Sequence, residues 1–241
     1  MVKTKKIKMG IVIPSYNESK NLSILLKSIM EELPDSKIII VDDSNKKENR
    51  KIIELVSKYK NVELISRQKK SGRGSAIIDG FNKILKNKKI DYVFEMDSDL
   101  AHDPKEFIRF INEIKVYPYD LVIGSRYKSG GRIINIPKNR TLMSRVINNF
   151  LYIWLGIKIS DYTSGFRLYS RRSVEFITKA NIKSKGFITL SEIAYKLYKK
   201  KYKISEVPIT WNYRIYGKSN VNTKELLFSL YFVIKLKFLK I

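Results

Sequence analysis

In the segment Asp91-Tyr92-Val93-Phe94-Glu95-Met96-Asp97-Ser98-Asp99, a short apolar run ends in two carboxylates one residue apart. An apolar run of this length is typical of a buried strand. In an open parallel sheet, ligands bind in the crevice outside the carboxyl ends of the strands. Carboxylates placed there suit a divalent cation that in turn holds phosphate groups. We therefore expect Asp97 and Asp99 to mark a ligand crevice.

Apolar runs and helical patterns alternate on both sides of this stretch. The predicted strands are residues 9–14, 37–43, 62–66, 91–96, 120–125 and, after a less regular region, 203–209. The predicted helices are residues 19–32, 47–59, 75–88, 104–115, 142–155 and 186–200. Strands that alternate with helices predict an α/β fold with a mainly parallel central sheet flanked by helices.

The composition fits one intracellular domain. The chain has 241 residues, of which 44% are hydrophobic, and this is enough for one sizeable core. It contains no cysteine, which excludes disulfides, thiolate metal sites and cysteine nucleophiles. Residues 1–8 lack the apolar core and the cleavage site of a signal peptide, so we expect a cytoplasmic protein.

The chain is strongly basic. Lys and Arg number 48 against 23 acidic residues, for a net charge of +25. This balance favours anionic partners, which include nucleic acid, anionic lipid and phosphorylated substrates. The acid-free segment, residues 121–160, has no Asp or Glu but contains Arg126, Lys128, Arg132, Lys138, Arg140, Arg145 and Lys158. It predicts a surface for phosphate or for an anionic membrane.

The last 16 residues, 226–241, are apolar except for Ser229, Lys235, Lys237 and Lys240. They are too few to cross a bilayer, which takes about 20 mainly apolar residues. A helix of this kind could lie on a membrane surface, dock against a membrane-spanning partner, or pack on the core of the protein itself. The sequence leaves all three arrangements open.

Acidic or glycine-containing segments stand at or just after four predicted strands. These segments are residues 14–18, 42–43, 71–74 and 97–99. Because the carboxyl ends of parallel strands share one edge of a sheet, we expect the four segments to converge. A carboxylate at that edge can bind a ribose hydroxyl or a base, and a glycine such as Gly72 lets the backbone approach a ligand closely.

The order and spacing of these segments resemble the polyprenyl-phosphate glycosyltransferases, and in particular the dolichol-phosphate mannosyltransferase family. The broad signature is Ser15-Tyr16-Asn17-Glu18 with Val41-Asp42-Asp43-Ser44. The more specific motifs are residues 97–104 and Gly124-Ser125-Arg126-Tyr127. The most specific are Asp161-x-Thr163-Ser164-Gly165-Phe166-Arg167-Leu168-Tyr169 and Glu206-Val207-Pro208-Ile209 followed by Arg214-x-x-Gly217-x-Ser219. The resemblance covers residues 8–225.

The resemblance implies a Rossmann-like GT-A glycosyltransferase fold. Residues 1–221 would form a single catalytic domain, and residues 222–241 a C-terminal amphipathic helix. The implied reaction is inverting transfer of mannose from GDP-mannose to dolichyl or another polyprenyl phosphate, with Mg²⁺ or Mn²⁺ as cofactor. The protein would work at the cytosolic face of an anionic membrane, with a small membrane-spanning accessory subunit as a further partner and without nucleic acid.

The resemblance also assigns roles on the donor side. The nucleotide and its sugar would be bound by Pro14, Tyr16, Glu18, Asp43 and Gly72. Asp97 and Asp99 would hold the metal ion on the donor diphosphate, and Asp99 would count as catalytic. Arg214 and Lys218 would stabilise the charge that develops on the leaving diphosphate.

On the acceptor side, the resemblance implies that Arg126 and Arg140 grip phosphate. A phosphate monoester has a second pKa of about 6, so it can attack without a strong general base. Glu192 would contact the sugar, with a structural salt bridge as the alternative, and the resemblance counts Arg126 and Glu192 as catalytic together with Asp99. His102 is interpreted as structural or as a neighbour of the metal, and Arg167 as a site residue or an internal ion-pair partner.

Several positions depart from the family pattern. Ala101 stands where some members have a glutamine metal ligand, and Asn220 stands where the family has lysine. These departures leave the sugar and the metal geometry open, so glucose or another sugar is the alternative donor group. Two other classes are an inactive homologue that serves as a partner subunit and, from charge alone, a nucleic-acid-binding protein.

Overall fold

The computed structural model describes residues 6–67, 71–136, 138–184, 186, 188–212 and 231–238, without the side chains of residues 138 and 139. The strands are β1 Met9–Ser15, β2 Lys37–Asp42, β3 Val62–Ser66, β4 Tyr92–Glu95, β5 Leu121–Ser125, β6 Arg132–Ile134, β7 Arg167–Ser170, β8 Ile204–Pro208 and β9 Thr210–Asn212. The helices are α1 Ser19–Glu32, α2 Lys46–Val56, α3 Arg73–Ile84, α4 Phe107–Val116, α5 Lys138–Leu155, α6 Arg171–Lys179 and α7 Ile188–Lys199, with one 3₁₀ turn at Pro104–Glu106.

Seven of the described strands form one sheet in the order β3-β2-β1-β4-β7-β5-β8. Every pairing in it is parallel except those of β7, which runs antiparallel to both β4 and β5. The chain lays β2 and β3 on one side of β1 and then returns to place β4 on its other side. The strand order therefore reverses between β1 and β4, which is where an α/β sheet opens its ligand crevice.

The sheet is covered on both faces, because successive residues of a strand point to opposite sides. Ile11 and Ile13 of β1 pack with α1 and α4, whereas Val12 packs with α3, α5 and α7. Strand β2 divides in the same way, with Ile38 and Ile40 on the first face and Ile39 on the second. The predicted mainly parallel sheet flanked by helices is confirmed.

Strand β7 is the main element that sequence patterns did not predict. It is only four residues long and begins with Arg167, yet all four residues are buried. The buried guanidinium donates hydrogen bonds to three carbonyl oxygens, those of Ser164 at 2.8 Å, Leu190 at 2.7 Å and Tyr162 at 2.9 Å. Among the described residues these bonds satisfy the guanidinium and no carboxylate forms an ion pair with it, although an internal ion pair was one of the two expectations for Arg167. Strands β6 and β9, which pair with each other, and helix α6 were not predicted either.

Of the predicted C-terminal helix, residues 231–238 are described. Their buried side chains Phe232, Val233 and Leu236 join the core on the α5 side of the sheet. Trp154 of α5 donates a hydrogen bond from Nε1 to the carbonyl oxygen of Val233 at 3.1 Å. This part of the segment packs on the protein's own core, while the division at residue 221 stays a prediction. Within the described ranges, no helix is both long and apolar enough to cross a membrane.

The contact of α3 with β1 gives a test of this packing. An ideal Cβ on Gly80 would lie 2.2 Å from Cγ1 of Val12, so any side chain there overpacks the core. Gly80→Ala should lower the free energy of unfolding in urea by about 1–3 kcal/mol, although alanine is the better helix former. Asn82→Ala, at an exposed position of the same helix, should change stability by less than about 0.5 kcal/mol. Equal stability of the two variants would contradict the close approach of α3 to β1.

Candidate active site at the carboxyl edge of the sheet

The acidic pair lies just beyond β4, at the reversal of strand order. The Asp97 side chain is 24% exposed, and Asp99 is 8% exposed. Asp99 accepts a hydrogen bond at Oδ1 from the backbone N–H of Ala101 at 3.2 Å. Leu100, between them, has φ 61°, a left-handed conformation that is strained for a leucine. Strained turns of this kind concentrate at functional sites, where the surrounding structure holds them.

A buried guanidinium joins the acidic pair to the sheet. Arg73, the first residue of α3, donates from Nε to Oδ1 of Asp97 at 2.8 Å and from Nη1 to Oε1 of Glu95 at 2.6 Å. Glu95 is fully buried, and its Oε2 accepts from the hydroxyl of Tyr169 at 2.8 Å. Burial opposes the charged form of Arg73, but the two carboxylates outweigh it and raise the arginine pKa. Burial, with Glu95 adding to it, raises the pKa of Tyr169.

Two glycines let α3 begin close to this cluster. Gly72 has φ 92°, in the left-handed region that favours glycine. An ideal Cβ on Gly74 would lie 2.2 Å from Oγ1 of Thr189, so the start of α3 rests directly against α7. The glycines that were predicted to admit a ligand also admit a neighbouring helix.

The carboxylate oxygens of Asp97 and Asp99 are suited to bind a divalent cation whose other ligands come from a diphosphate. In the part of the chain that is described, no three His, Cys, Asp or Glu side chains cluster into a metal site, and Ala101 supplies no side-chain ligand. Mg²⁺ is commonly bound by one or two carboxylates, with substrate phosphates and water completing the octahedron. Two carboxylates at the crevice suit that mode of binding, and the metal assignment stays a prediction.

The predicted nucleotide-binding residues lie at the same edge. Asp43 follows β2, and both of its carboxylate oxygens accept from Arg67, from Nε at 2.5 Å and Nη2 at 2.6 Å. The same Nη2 reaches the carbonyl oxygen of Gly72 at 3.2 Å, so the β2, β3 and α3 loops are tied together.

The remaining predicted nucleotide residues belong to β1 and the loop after it. Pro14 pairs with Val41 in the register of β1 and β2. Tyr16 is 38% exposed, and the half-buried Glu18 accepts from the side chain of Asn21. The structure thus brings the predicted donor residues to one edge of the sheet, and their contacts with a nucleotide stay predictions.

Arg126 directly follows β5, and its side chain is hydrogen-bonded to Asp161. Its Nε and Nη2 bond the two carboxylate oxygens at 2.7 Å each, and Nη2 also bonds Oγ1 of Thr163 at 2.7 Å. Its guanidinium carbon lies 5.3 Å from the ring centroids of Tyr127 and Trp211. Burial opposes both charges, but mutual attraction wins, raising the pKa of Arg126 and lowering that of Asp161. Nη1 is the guanidinium nitrogen that neither Asp161 nor Thr163 engages.

His102 follows the acidic pair in the chain and pairs with Trp211, whose ring centroid lies 5.3 Å from the guanidinium carbon of Arg126. Burial lowers its pKa to about 4, an effect that Asp97 opposes and that Arg126 and Arg73 reinforce. The imidazole is therefore neutral at pH 7. Its ring centroid lies 5.1 Å from that of Phe166, and within the described residues its buried Nδ1 has no hydrogen-bond partner. These contacts bring the loop that holds the acidic pair close to Arg126.

The structure supports the alternative interpretation of Glu192. The residue is fully buried in α7 and forms an ion pair with Lys196 at 2.9 Å. Its carboxylate also accepts from the backbone N–H groups of Lys183 and Ser184 and from the Ser184 hydroxyl. These contacts hold the 183–184 loop and support the structural salt bridge, while a contact of Glu192 with a sugar stays a prediction.

Three predicted phosphate-binding residues remain. Arg140 is exposed in the first turn of α5. Arg214 and Lys218 lie outside the described residues. The phosphate contacts of all three stay predictions.

The sequence analysis gave no role to four residues that organise the site: Arg67, Arg73, Glu95 and Asp161. Two signals were available. Arg73 stands inside the glycine-containing turn, and Asp161 opens the most specific motif. Glu95 stands inside the apolar run of β4, and only the pairing of β4 with β7 places it opposite Arg167.

Comparisons with known proteins identify the family and the fold. The family model of glycosyl transferase family 2 matches residues 10–178. The chain is 30% identical over 225 residues to the polyprenol monophosphomannose synthase of Mycolicibacterium smegmatis, covering 91% of this chain and 84% of that protein. It is 31% identical over 212 residues to the undecaprenyl-phosphate mannosyltransferase of Micrococcus luteus, covering 88% of this chain and 86% of that protein.

Solved structures with the same fold include glucosyl-3-phosphoglycerate synthase from Mycobacterium tuberculosis. Its complex with UDP matches with a TM-score of 0.65 at 17% identity, covering 96% of this chain and 79% of that one. Its complex with Mn²⁺, UDP-glucose and phosphoglyceric acid matches with a TM-score of 0.66 at 17% identity, covering 96% and 78%. At this identity the likeness concerns the fold, and it confirms the Rossmann-like GT-A architecture. The chain belongs to glycosyl transferase family 2 and is a glycosyltransferase.

Proposed function

We propose that the chain transfers mannose from a nucleotide sugar to a polyprenyl phosphate with inversion, with GDP-mannose as donor and dolichyl phosphate among the acceptors. The observation that carries the proposal is the closeness of two charged sites. An acidic pair stands just beyond β4, the nearby His102 pairs with Trp211, and the guanidinium carbon of the buried Arg126 lies 5.3 Å from the Trp211 ring centroid. The names of the two mannosyltransferase relatives support mannose and a polyprenyl phosphate.

The acidic pair serves the leaving group. Asp97 and Asp99 would hold Mg²⁺ or Mn²⁺, which supplies Lewis-acid stabilisation of the charge that grows on the departing nucleoside diphosphate. The Asp97 carboxylate is oriented by Arg73, and Asp99 by the backbone of Ala101. The side chains therefore need little reorganisation when the donor binds, which is the condition under which fixed charges are most effective.

The acceptor phosphate requires a cation to bind it, and it requires no general base to activate it. Its second pKa of about 6 leaves it mostly dianionic at neutral pH, so it can attack the anomeric carbon directly. Burial lowers the pKa of His102 to about 4, so its imidazole is a weak base, consistent with a reaction that uses no histidine base. Arg126 is held in one orientation by Asp161, and its charge lies beside the crevice to attract the phosphate.

Helix α5 links this site to a surface that suits a membrane. On its inner side, Asn148 accepts from the backbone N–H of Tyr162 at 2.7 Å, and Ser144 is hydrogen-bonded to the hydroxyl of Tyr127 at 2.7 Å. Its opposite side exposes large apolar side chains, with Val146 60% and Ile153 79% exposed. These positions share one helical face with Leu142, which is 64% exposed.

Charge and the C-terminal segment extend this surface. Arg140 and Arg145 of α5 are exposed within the acid-free segment. Phe238, 76% exposed, ends the described part of the segment that packs on Trp154. Apolar side chains flanked by cations favour the interface of an anionic bilayer. A protein lying there, at the cytosolic face and with or without a membrane-spanning subunit, would meet the phosphate of a lipid acceptor.

The reaction can be tested directly. The purified chain, incubated with a short-chain polyprenyl phosphate and labelled GDP-mannose in the presence of Mg²⁺ or Mn²⁺, should form a lipid-linked mannose. UDP-glucose and other nucleotide sugars serve as parallel arms. Asp99→Asn should reduce transfer by at least about 100-fold, because the acidic pair is needed in the transition state, and should leave the melting temperature nearly unchanged. Absence of lipid-linked product from every donor would defeat the proposal.

The membrane surface has its own test. The double variant Val146→Ser/Ile153→Ser should bind phosphatidylcholine–phosphatidylglycerol vesicles at least about fivefold more weakly, since it removes apolar area from the proposed contact. The matched control is Ile108→Ser/Val116→Ser on α4, whose side chains are 51% and 85% exposed. Vesicle sedimentation measures both. Equal losses in the two double variants would contradict a role for α5.

A further inference from the structure

Arg73 forms ion pairs with both Glu95 and Asp97 at the end of β4, so its one positive charge faces two carboxylates. Nη1 is bonded to Oε1 of Glu95 at 2.6 Å and Nε to Oδ1 of Asp97 at 2.8 Å. The Arg73 side chain is 12% exposed, Glu95 0% and Asp97 24%. The inner carboxylate is therefore paired inside the protein, whereas the outer one is partly exposed to solvent, from which a cation can approach it.

The surroundings hold the guanidinium in this position. An ideal Cβ on Gly165 would lie 2.5 Å from Nη2 of Arg73 and 2.7 Å from Oδ2 of Asp97, so only a glycine leaves room for the pair. Nη2 is buried and has no hydrogen-bond partner among the described residues. On the other side, Thr189 packs against Gly74 at the start of α3. The arginine is anchored by the fold and does not depend on Asp97 for its position.

We propose that Arg73 is a positioning residue that competes with the divalent cation for Asp97 and so makes metal binding depend on the donor diphosphate. The inference rests on the proposed function, because it takes Asp97 as a metal ligand of the transferase. Without donor, the guanidinium holds Asp97 in place and neutralises part of its charge, which weakens binding of a bare cation. A nucleoside diphosphate brings further oxygen ligands, and the cation then outcompetes the guanidinium. Arg73 keeps its second partner, Glu95, throughout.

The design of the test follows from the shared charge. Arg73→Gln alone would leave Glu95 buried without its cation, which is strongly destabilising. Arg73→Gln/Glu95→Gln removes one positive and one negative charge together, so the local net charge is unchanged while Asp97 loses its competitor. Glu95→Gln alone removes a negative charge, so the positive charge of Arg73 no longer faces Glu95 and neutralises more of the charge of Asp97. The two variants should therefore move the affinity for a bare cation in opposite directions.

The measurement is Mn²⁺ binding, followed by the electron paramagnetic resonance signal of the free ion, without nucleotide and with GDP. In the wild type, GDP should strengthen Mn²⁺ binding. In Arg73→Gln/Glu95→Gln, Mn²⁺ without nucleotide should bind about tenfold more tightly, and the strengthening by GDP should shrink. In Glu95→Gln, Mn²⁺ without nucleotide should bind more weakly than in the wild type. Arg172→Gln, which breaks an ion pair with Asp120 at the opposite end of the strands, should leave Mn²⁺ binding unchanged.

A merely structural role for Arg73 predicts weaker Mn²⁺ binding both in Glu95→Gln and in the double variant, and that result would overturn the proposal. Thermal melting checks that the variants are folded. If the double variant does not fold, Arg73→Lys keeps the charge but loses the two-armed contact. A tighter Mn²⁺ affinity in Arg73→Lys then supports the proposal, and an unchanged one overturns it.

The outcomes for Arg73 and for the overall function are separable. The expected Mn²⁺ pattern in a chain that makes no lipid-linked sugar would remove the proposed substrate and keep the role of Arg73. Lipid-linked product together with unchanged Mn²⁺ binding in the double variant would keep the proposed substrate and overturn the role of Arg73.

Discussion

The buried contact of Arg73 with Glu95 and Asp97 is the interaction on which the site depends. A fully buried glutamate at the end of a central strand is costly unless a cation and hydrogen bonds satisfy it. Arg73 and the hydroxyl of Tyr169 supply them, and each comes from a different element. The contact joins the start of α3, the end of β4 and strand β7, and it leaves Asp97 at the mouth of the crevice.

A second buried ion pair organises the other side of the crevice. Arg126 and Asp161 are held together by two hydrogen bonds of 2.7 Å, and Thr163 and Asn148 extend the network to α5. Such pairs contribute little net stability, because desolvation offsets much of the attraction. Their value is in orientation, since each fixes a charged group where a charged substrate can meet it. The two networks present opposite charges at this edge of the sheet, with the acids of one at the end of β4 and the guanidinium of the other at the end of β5.

The sequence predicted some strands and acidic residues of the site and missed others. The apolar runs of β1, β2 and β5 and the acids after β2 and β4 were recognisable because strand burial and strand-end loops have local signatures. Strand β7 had none, since its buried arginine is satisfied by carbonyl oxygens from residues 162, 164 and 190, two of them in the preceding loop and one in α7. Glu192 matched a family position, but only its neighbours Lys196 and Ser184 reveal that its carboxylate is used inside the protein.

The sequence by itself determined the fold class, the family and the set of charged residues at the sheet edge, because alternating apolar patterns and short motifs are local properties of the chain. The tertiary structure decided which charges neutralise one another. Whether an arginine faces a substrate or a buried carboxylate depends on contacts between residues far apart in sequence, such as Arg126 with Asp161 or Arg73 with Glu95. Those contacts exist only once the sheet has brought the strands together.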